Sequence, residues 1–336
     1  MARNNIGVAL IGVGRMGREH APNLASMSNV RVVVVADAKL TAAMDMKQAA
    51  RAERATDDIE SALADPAVDA VMIVTPATTH ADLIERAARH GKAIFCEKPV
   101  ALDLARTRQA LRVVEESGVP FQIGFQRRFD SGYARARSMI DAGAIGSIEM
   151  FRAVGKDPMP PPATYLPTSG GILVDTAIHD FDLARFLVGE VVEVHTWGAA
   201  LIDPQFGEMG YADTTITTLR FESGALGSVE NSWRAVYGYD VQTEIFGSRG
   251  KLHVYDVPKT PLWQYGENGV TSDHYFFFMD RFKDAYRLEV ESFIRCLLDG
   301  KPPSPGPVDA IESLRIGLAA TRSFREKRVV RLEEMV

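Results

Sequence analysis

Over positions 1–125, short runs of apolar, mostly β-branched residues alternate with stretches whose apolar positions recur at helical spacing. The runs at 7–11, 31–36, 70–75, 93–96 and 121–124 have the pattern of parallel strands covered on both faces. Between them the periodicity predicts helices over 16–27, 39–54, 79–90 and 103–117. In the last of these, Leu104, Leu111 and Val114 fall at core spacing and Gly118 supplies the stop. Alternation of this kind specifies an α/β Rossmann domain, a doubly wound parallel sheet.

After Gly124 the rhythm changes. Helical stretches at 133–142 and 172–187 flank the strand-like segment 147–154, and strands follow at 190–201, 213–222, 225–236, 239–247 and 250–256. Glu222-Ser223-Gly224 and Gly247-Ser248-Arg249-Gly250 are turn signals between successive strands, so most neighbours are expected to pair antiparallel. Helices at 281–299 and 308–326, parted by Gly300-Lys301-Pro302-Pro303, close the chain. The expected division is 1–125 for the Rossmann domain and 126–336 for an α+β domain with a large, mostly antiparallel open sheet. The last helix is free to pack back on the first domain.

Composition narrows the class. At 336 residues the chain exceeds one small core, and a net charge of −6 gives no general attraction to nucleic acid or an acidic membrane. No apolar run reaches the ~20 residues that span a bilayer, and residues 1–5 lack the pattern of a signal peptide. The two cysteines, Cys96 and Cys296, are far apart, which fits a reducing cytoplasm rather than a disulfide scaffold or structural zinc.

The candidate chemistry starts at Gly12-Val13-Gly14-Arg15-Met16-Gly17, between the first strand and its helix. There Gly12 permits a tight turn, Gly14 lets the backbone approach a pyrophosphate, and Gly17 lets helix and strand pack closely. The helix start, with Arg15 and Met16, supplies N–H groups for the anion. Asp37 ends the second strand, where a carboxylate bonds the ribose hydroxyls and repels a 2′-phosphate; NAD is favoured, with Lys39 keeping NADP as the minor alternative. Thr75, Pro76 and His80 follow the third strand and border the expected cofactor site; a plain turn with Thr78 or Thr79 as helix cap explains them equally well. Glu97-Lys98-Pro99 stands at the end of the next strand, where such sheets bind ligands, although charged residues at strand ends are usually only solvated. Further on, Asp175, His179 and Asp182 recur at i, i+4 and i+7 on a predicted helix, so a carboxylate can orient an imidazole. A surface ion pair is the plainer reading of that spacing, and a metal site with Asp180 lacks a further ligand at suitable spacing.

In this order and spacing, the glycine fingerprint, Glu97-Lys98-Pro99 and Asp175-x-x-x-His179 resemble the Gfo/Idh/MocA oxidoreductases over essentially the whole chain. Gly124-Phe125-Gln126-Arg127-Arg128-Phe129-Asp130-Ser131-Gly132-Tyr133 and Tyr237-Gly238-Tyr239-Asp240 extend the likeness to inositol-oxidising members. The resemblance implies that Lys98 bonds the reacting oxygen, that His179 takes the hydroxyl proton, and that Asp175 holds His179. It implies that Glu97 belongs to the cofactor shell and that Pro99 fixes the turn, often through a cis bond. Arg127, Asp157 and Tyr239 match positions that contact a cyclic polyol. Gly155 departs from relatives that carry histidine there, and Trp233 and Phe278 fall on a variable part of the pocket wall. The implied activity is NAD-dependent oxidation of myo-inositol, with a scyllo-inositol or pyranose dehydrogenase as alternative. A non-catalytic nucleotide sensor is disfavoured because both Lys98 and His179 are present. A one-sided sheet built on 214–221 implies a homo-oligomer, and the family a tetramer or dimer.

Overall fold

The computed structural model describes residues 5–255, 257–267 and 269–335. Positions 1–4, within the stretch read for a signal peptide, and position 256, in the expected strand 250–256, lie outside these residues. By packing, the described chain divides into two compact units: the residues up to Phe129 with Asp284–Glu312, and Asp130–Lys283 with the residues from Ser313 onward.

The first unit holds a parallel sheet of β1 (Ile6–Ile11), β2 (Val30–Ala36), β3 (Arg54–Thr56), β4 (Ala70–Ile73), β5 (Ala93–Glu97) and β6 (Phe121–Gly124). Their order is β3-β2-β1-β4-β5-β6, so the winding reverses between β1 and β4. Strands β1, β4 and β5 are buried from end to end, which their unbroken apolar runs require. Local chemistry sets the helix ends. Asp103 caps the helix Leu104–Ser117 by accepting from Arg106 N at 2.8 Å, and Gly118 closes it in the left-handed region at φ 65°. Leu104, Leu111 and Val114 are buried on that helix. The helix Lys283–Asp299 adds Val290, Phe293 and Ile294 to the core that Val8, Leu10 and Phe95 supply from the sheet. Burial of each such side chain is worth about 1.5–3 kcal/mol before entropy is counted. One expectation shifts: the helix over 39–54 ends at Ala49, and Arg54–Thr56 is the short edge strand β3. Three half-buried residues carry no alternation that would reveal a strand.

The second unit is built on a sheet of β7 (Ile148–Lys156), β8 (Val191–Ala199), β9 (Thr214–Phe221), β10 (Leu226–Ser232), β11 (Asp240–Gly247), β12 (Gly250–Val254) and β15 (Val330–Arg331), in the order β12-β11-β7-β10-β9-β8-β15. Every pair is antiparallel except β7–β10. Alternation along β9 buries Thr215, Thr217, Leu219 and Phe221 and turns Ile216, Thr218 and Arg220 outward. On the inner side Ser323, from the helix Pro307–Glu326, accepts from Thr196 N at 2.9 Å. Outward-facing Met150, Trp197, Ile216, Leu226 and Phe246 are exposed and fall on one face by register. A separate hairpin of β13 (Pro258–Gly266) and β14 (Gly269–His274) was not anticipated, because nearly all its positions are exposed and no hydrophobic alternation marks it. The helix expected over 172–187 is two helices, Ile172–Asp175 and Ile178–Leu187. The break lies at Thr176–Ala177, whose N–H groups both donate to Ile172 O, at 3.1 and 2.8 Å.

Candidate active site

Each glycine of the fingerprint meets a different demand. Gly12 sits at φ +100°, and a Cβ there would lie 2.8 Å from Thr75 N. A Cβ on Gly17 would lie 2.3 Å from Gly12 O, so both positions are fixed by packing between β1, β4 and the helix Arg15–Ser26. Gly14 is different: it is exposed, and a Cβ there would meet nothing within 4 Å. The open space lies at the start of a helix that no side chain caps, beside exposed Arg15 and half-buried Met16. Asp37 is held at the end of β2, where its carboxylate accepts from Val13 N and Lys39 N, each at 3.0 Å. Each oxygen keeps a lone pair for a further donor. An anion against the Gly14 turn and a diol at Asp37 are the two ends of a dinucleotide's requirement, and these residues fit it.

Next along the same sheet edge, Thr75 Oγ1 lies 2.7 Å from Thr79 Oγ1. The helix Ala77–Arg89 starts after Pro76, so Thr78 and Thr79 lie inside its first turn and neither caps it; Thr79 Oγ1 donates to Pro76 O at 2.8 Å. His80 is buried, with Nδ1 2.8 Å from Pro99 O and Nε2 2.7 Å from Thr75 O. It therefore ties the turn after β4 to the turn after β5. Burial pushes its pKa down, against the pull of the two carbonyls and of Glu97. Lys98 is half-buried at the end of β5, and the Lys98–Pro99 bond is cis. Glu97 turns into the interior, where its Oε1 lies 2.9 Å from His20 Nε2. Cys96 beside it is buried, and burial raises its thiol pKa far from reactivity. Arg127, in the turn Gln126–Phe129 after β6, is a buried guanidinium and not a surface one.

In the second unit, Asp175 ends one short helix and His179 lies in the first turn of the next, both half-buried. The two residues therefore lie on two short helices and not on one straight helix. Asp182, on the same helix as His179, is buried and accepts from Ser313 Oγ at 3.3 Å. Thr176, inside the break, is anchored by Trp233 Nε1 at 3.0 Å. Trp233 follows Ser232, whose carbonyl accepts from Asp157 N at 2.9 Å, so Asp157 joins the same end of the sheet through backbone bonds. Tyr239 is buried and packs its ring against Phe278 and Phe282, with centroids 6.4 and 6.1 Å away. A side chain at Gly155 would enter occupied space: its Cβ would lie 2.7 Å from Asp180 Oδ2 and 2.8 Å from Asn231 Nδ2. Those two groups bond each other at 2.8 Å, which explains the glycine.

Sequence reading missed His20, Glu289 and the Asp180–Asn231 pair. No motif spacing connects residues so far apart in the chain, and buried polar pairs leave no mark on hydrophobic periodicity.

Residues 6–125 match the family model described as an oxidoreductase family with an NAD-binding Rossmann fold, and 133–253 match the GFO/IDH/MocA C-terminal domain. The chain is 38% identical over 331 residues to a myo-inositol 2-dehydrogenase of Thermotoga maritima, covering 98% of this chain and 99% of that one. It is 42% identical over 323 residues to an inositol 2-dehydrogenase of Rhizobium meliloti, covering 96% and 97%. Among solved structures it is similar to a scyllo-inositol dehydrogenase from Lactobacillus casei with bound NAD(H) and scyllo-inositol. That match has a TM-score of 0.92 and 28% identity, over 98% of this chain and 99% of that chain.

Proposed function

The chain belongs to the Gfo/Idh/MocA oxidoreductase family, and from that premise we propose that it oxidises a cyclic polyol, myo-inositol first, to the ketone with NAD. The observation that carries the proposal is the near-full-length likeness to inositol 2-dehydrogenases of two organisms, joined to an intact set of Lys98, Asp175 and His179. NAD, when bound, supplies the hydride acceptor. Gly12, Gly14, Arg15, Met16, Gly17, Asp37, Thr75 and Pro76 would hold it, with His80 and Glu97 behind them. The Lys98 ammonium bonds the reacting oxygen and stabilises the charge that develops on it. His179 receives the hydroxyl proton, and Asp175 holds the imidazole for that task. Arg127, Asp157 and Tyr239 are assigned to the ring hydroxyls.

Scyllo-inositol is the second reading, favoured by the likeness to the Lactobacillus casei enzyme. The exposed apolar face of the second unit's sheet supports a homo-oligomer, dimer or tetramer, which light scattering would measure. Two distant cysteines without a disulfide suit the cytoplasm. The deciding experiment follows NADH formation across a panel of inositols and aldoses, with NAD and NADP in parallel. Turnover of myo-inositol with NAD is expected; inactivity on every inositol would overturn the reading.

A further inference from the structure

The first unit buries a cluster of titratable side chains that the proposed chemistry leaves unused. His20 comes from the helix Arg15–Ser26, Glu97 from the end of β5 and Glu289 from the helix Lys283–Asp299, and one polar atom of each lies within 4.8 Å of the others. His20 and Glu289 are 0% exposed and Glu97 is 7% exposed, so water does not solvate them. Phe95 and Tyr286 present ring edges to His20 at 5.6 and 5.8 Å. On the other side, Glu97 Oε2 sits where a Cβ on Gly124 would approach to 3.1 Å. Gln122 reaches Glu289 only at the backbone, donating from Nε2 to its carbonyl at 3.1 Å.

The protons can be placed from these contacts. His20 Nε2 faces a carboxylate oxygen at 2.9 Å, so that nitrogen carries the hydrogen and Glu97 accepts it. Neither carboxyl oxygen of Glu289 has a hydrogen-bond partner among the described residues. An ionised Glu289 would stand unsolvated beside a second carboxylate, an arrangement that is strongly unfavourable at this depth. A metal ion is a poor remedy, because the direct His20–Glu97 bond occupies the space between two of the three candidate ligands. A proton on Glu289 removes both the repulsion and the unsolvated charge.

We infer that Glu289 is a neutral carboxylic acid beside the Glu97 carboxylate, and that Glu289 and His20 are positioning residues that fix Glu97 and, through the next peptide bond, Lys98. The inference rests on the role proposed above for Lys98. Burial first, and the Glu97 charge second, hold the Glu289 carboxyl well above the usual carboxylate range. With His80 gripping Pro99 O from the other side, the Lys98-Pro99 turn is held at both ends.

Infrared spectroscopy of the full chain with isotope-labelled glutamate tests the protonation directly. A protonated-carboxyl stretch is expected in the wild type and is lost in Glu289→Gln. Kinetics test the positioning. Glu289→Gln, which keeps a neutral donor, should hold kcat within about twofold, whereas Glu289→Leu, which leaves Glu97 facing a methyl, should lower it about tenfold. If Glu289→Leu fails to fold, the spectrum and the glutamine variant still decide. Absence of the band, equal loss of kcat in both variants, or a stoichiometric transition metal in the wild type that Glu289→Gln lacks would each overturn the inference. A band that persists in a fully active Lys98→Ala variant would instead refute the role of Lys98 and leave the buried acid standing.

Discussion

Two alanine substitutions within one fingerprint should have opposite effects, and the structure gives their sizes. At Gly12 the backbone lies at φ +100° and the new methyl would meet Thr75 N at 2.8 Å. Forcing an L-residue into that region costs about 1–2 kcal/mol, and the overpacking adds about 1–3 kcal/mol. Gly12→Ala should therefore lose about 2–5 kcal/mol, a fall in Tm of roughly 10 °C at about 2–4 °C per kcal/mol for a domain of this size. At Gly14 the backbone is extended at φ −66° and the methyl meets nothing within 4 Å. Such a replacement gains about 0.4–1 kcal/mol by restricting the unfolded chain, so Tm should hold or rise slightly. The methyl would nevertheless fill the space a pyrophosphate needs, and NAD binding should weaken at least about tenfold, ~1.4 kcal/mol. Differential scanning fluorimetry without cofactor and calorimetric titration with NAD separate the two effects. A Gly14→Ala protein that melts as early as Gly12→Ala, or binds NAD normally, would refute the division of labour drawn here.

Three further outcomes are expected. Lys98→Ala and His179→Ala should each lower kcat by about 10²–10⁴-fold with the fold intact by circular dichroism, and unimpaired turnover would dismiss the assigned roles. Asp37→Ala should raise the KM for NAD by about tenfold while narrowing the preference over NADP, and an unchanged cofactor ratio would place the ribose elsewhere. The buried acid makes stability depend on pH, with Glu97 and His20 beside Glu289, the Tyr286 ring against His20, and Gln122 touching the Glu289 backbone. Its folded pKa is raised above the ordinary 4.5, so no penalty exists below that pH. As pH rises further, the unfolded chain releases a proton that the folded one keeps, and the wild type loses up to about 1.4 kcal/mol per pH unit. Glu289→Gln escapes this loss, so its advantage in Tm should grow from pH 5 to pH 8; a flat difference would contradict a buried neutral acid.

The central strands of both sheets were legible because burial writes itself into sequence as unbroken or alternating apolar runs, as in β1, β5 and β9. The glycine turn was legible for a related reason: Gly12 and Gly17 answer to steric limits that no other residue meets. Short or exposed elements such as β3 and the β13–β14 hairpin lack that imprint. The break at Thr176–Ala177 was hidden because neither residue is a breaker by type; Trp233, far along the chain, anchors Thr176. Lys98 was visible from its place at a strand end, whereas His20 and Glu289 converge on Glu97 only through tertiary packing.

The first unit is discontinuous in the chain, and that has a consequence for its birth on the ribosome. When β6 has been made, the sheet still lacks Val290, Phe293 and Ile294, which complete its core from the helix Lys283–Asp299. At about 5–20 residues per second, the delay between Gly124 and Ile294 is roughly 10–30 s. Through that interval the nascent sheet carries an uncovered apolar flank, a natural client surface for chaperones. A gene fragment cut after β6 would preserve the whole nucleotide fingerprint and yet encode a half-closed core. Expression boundaries for this protein should follow the packing, with residues 284–312 retained, rather than the end of the last parallel strand.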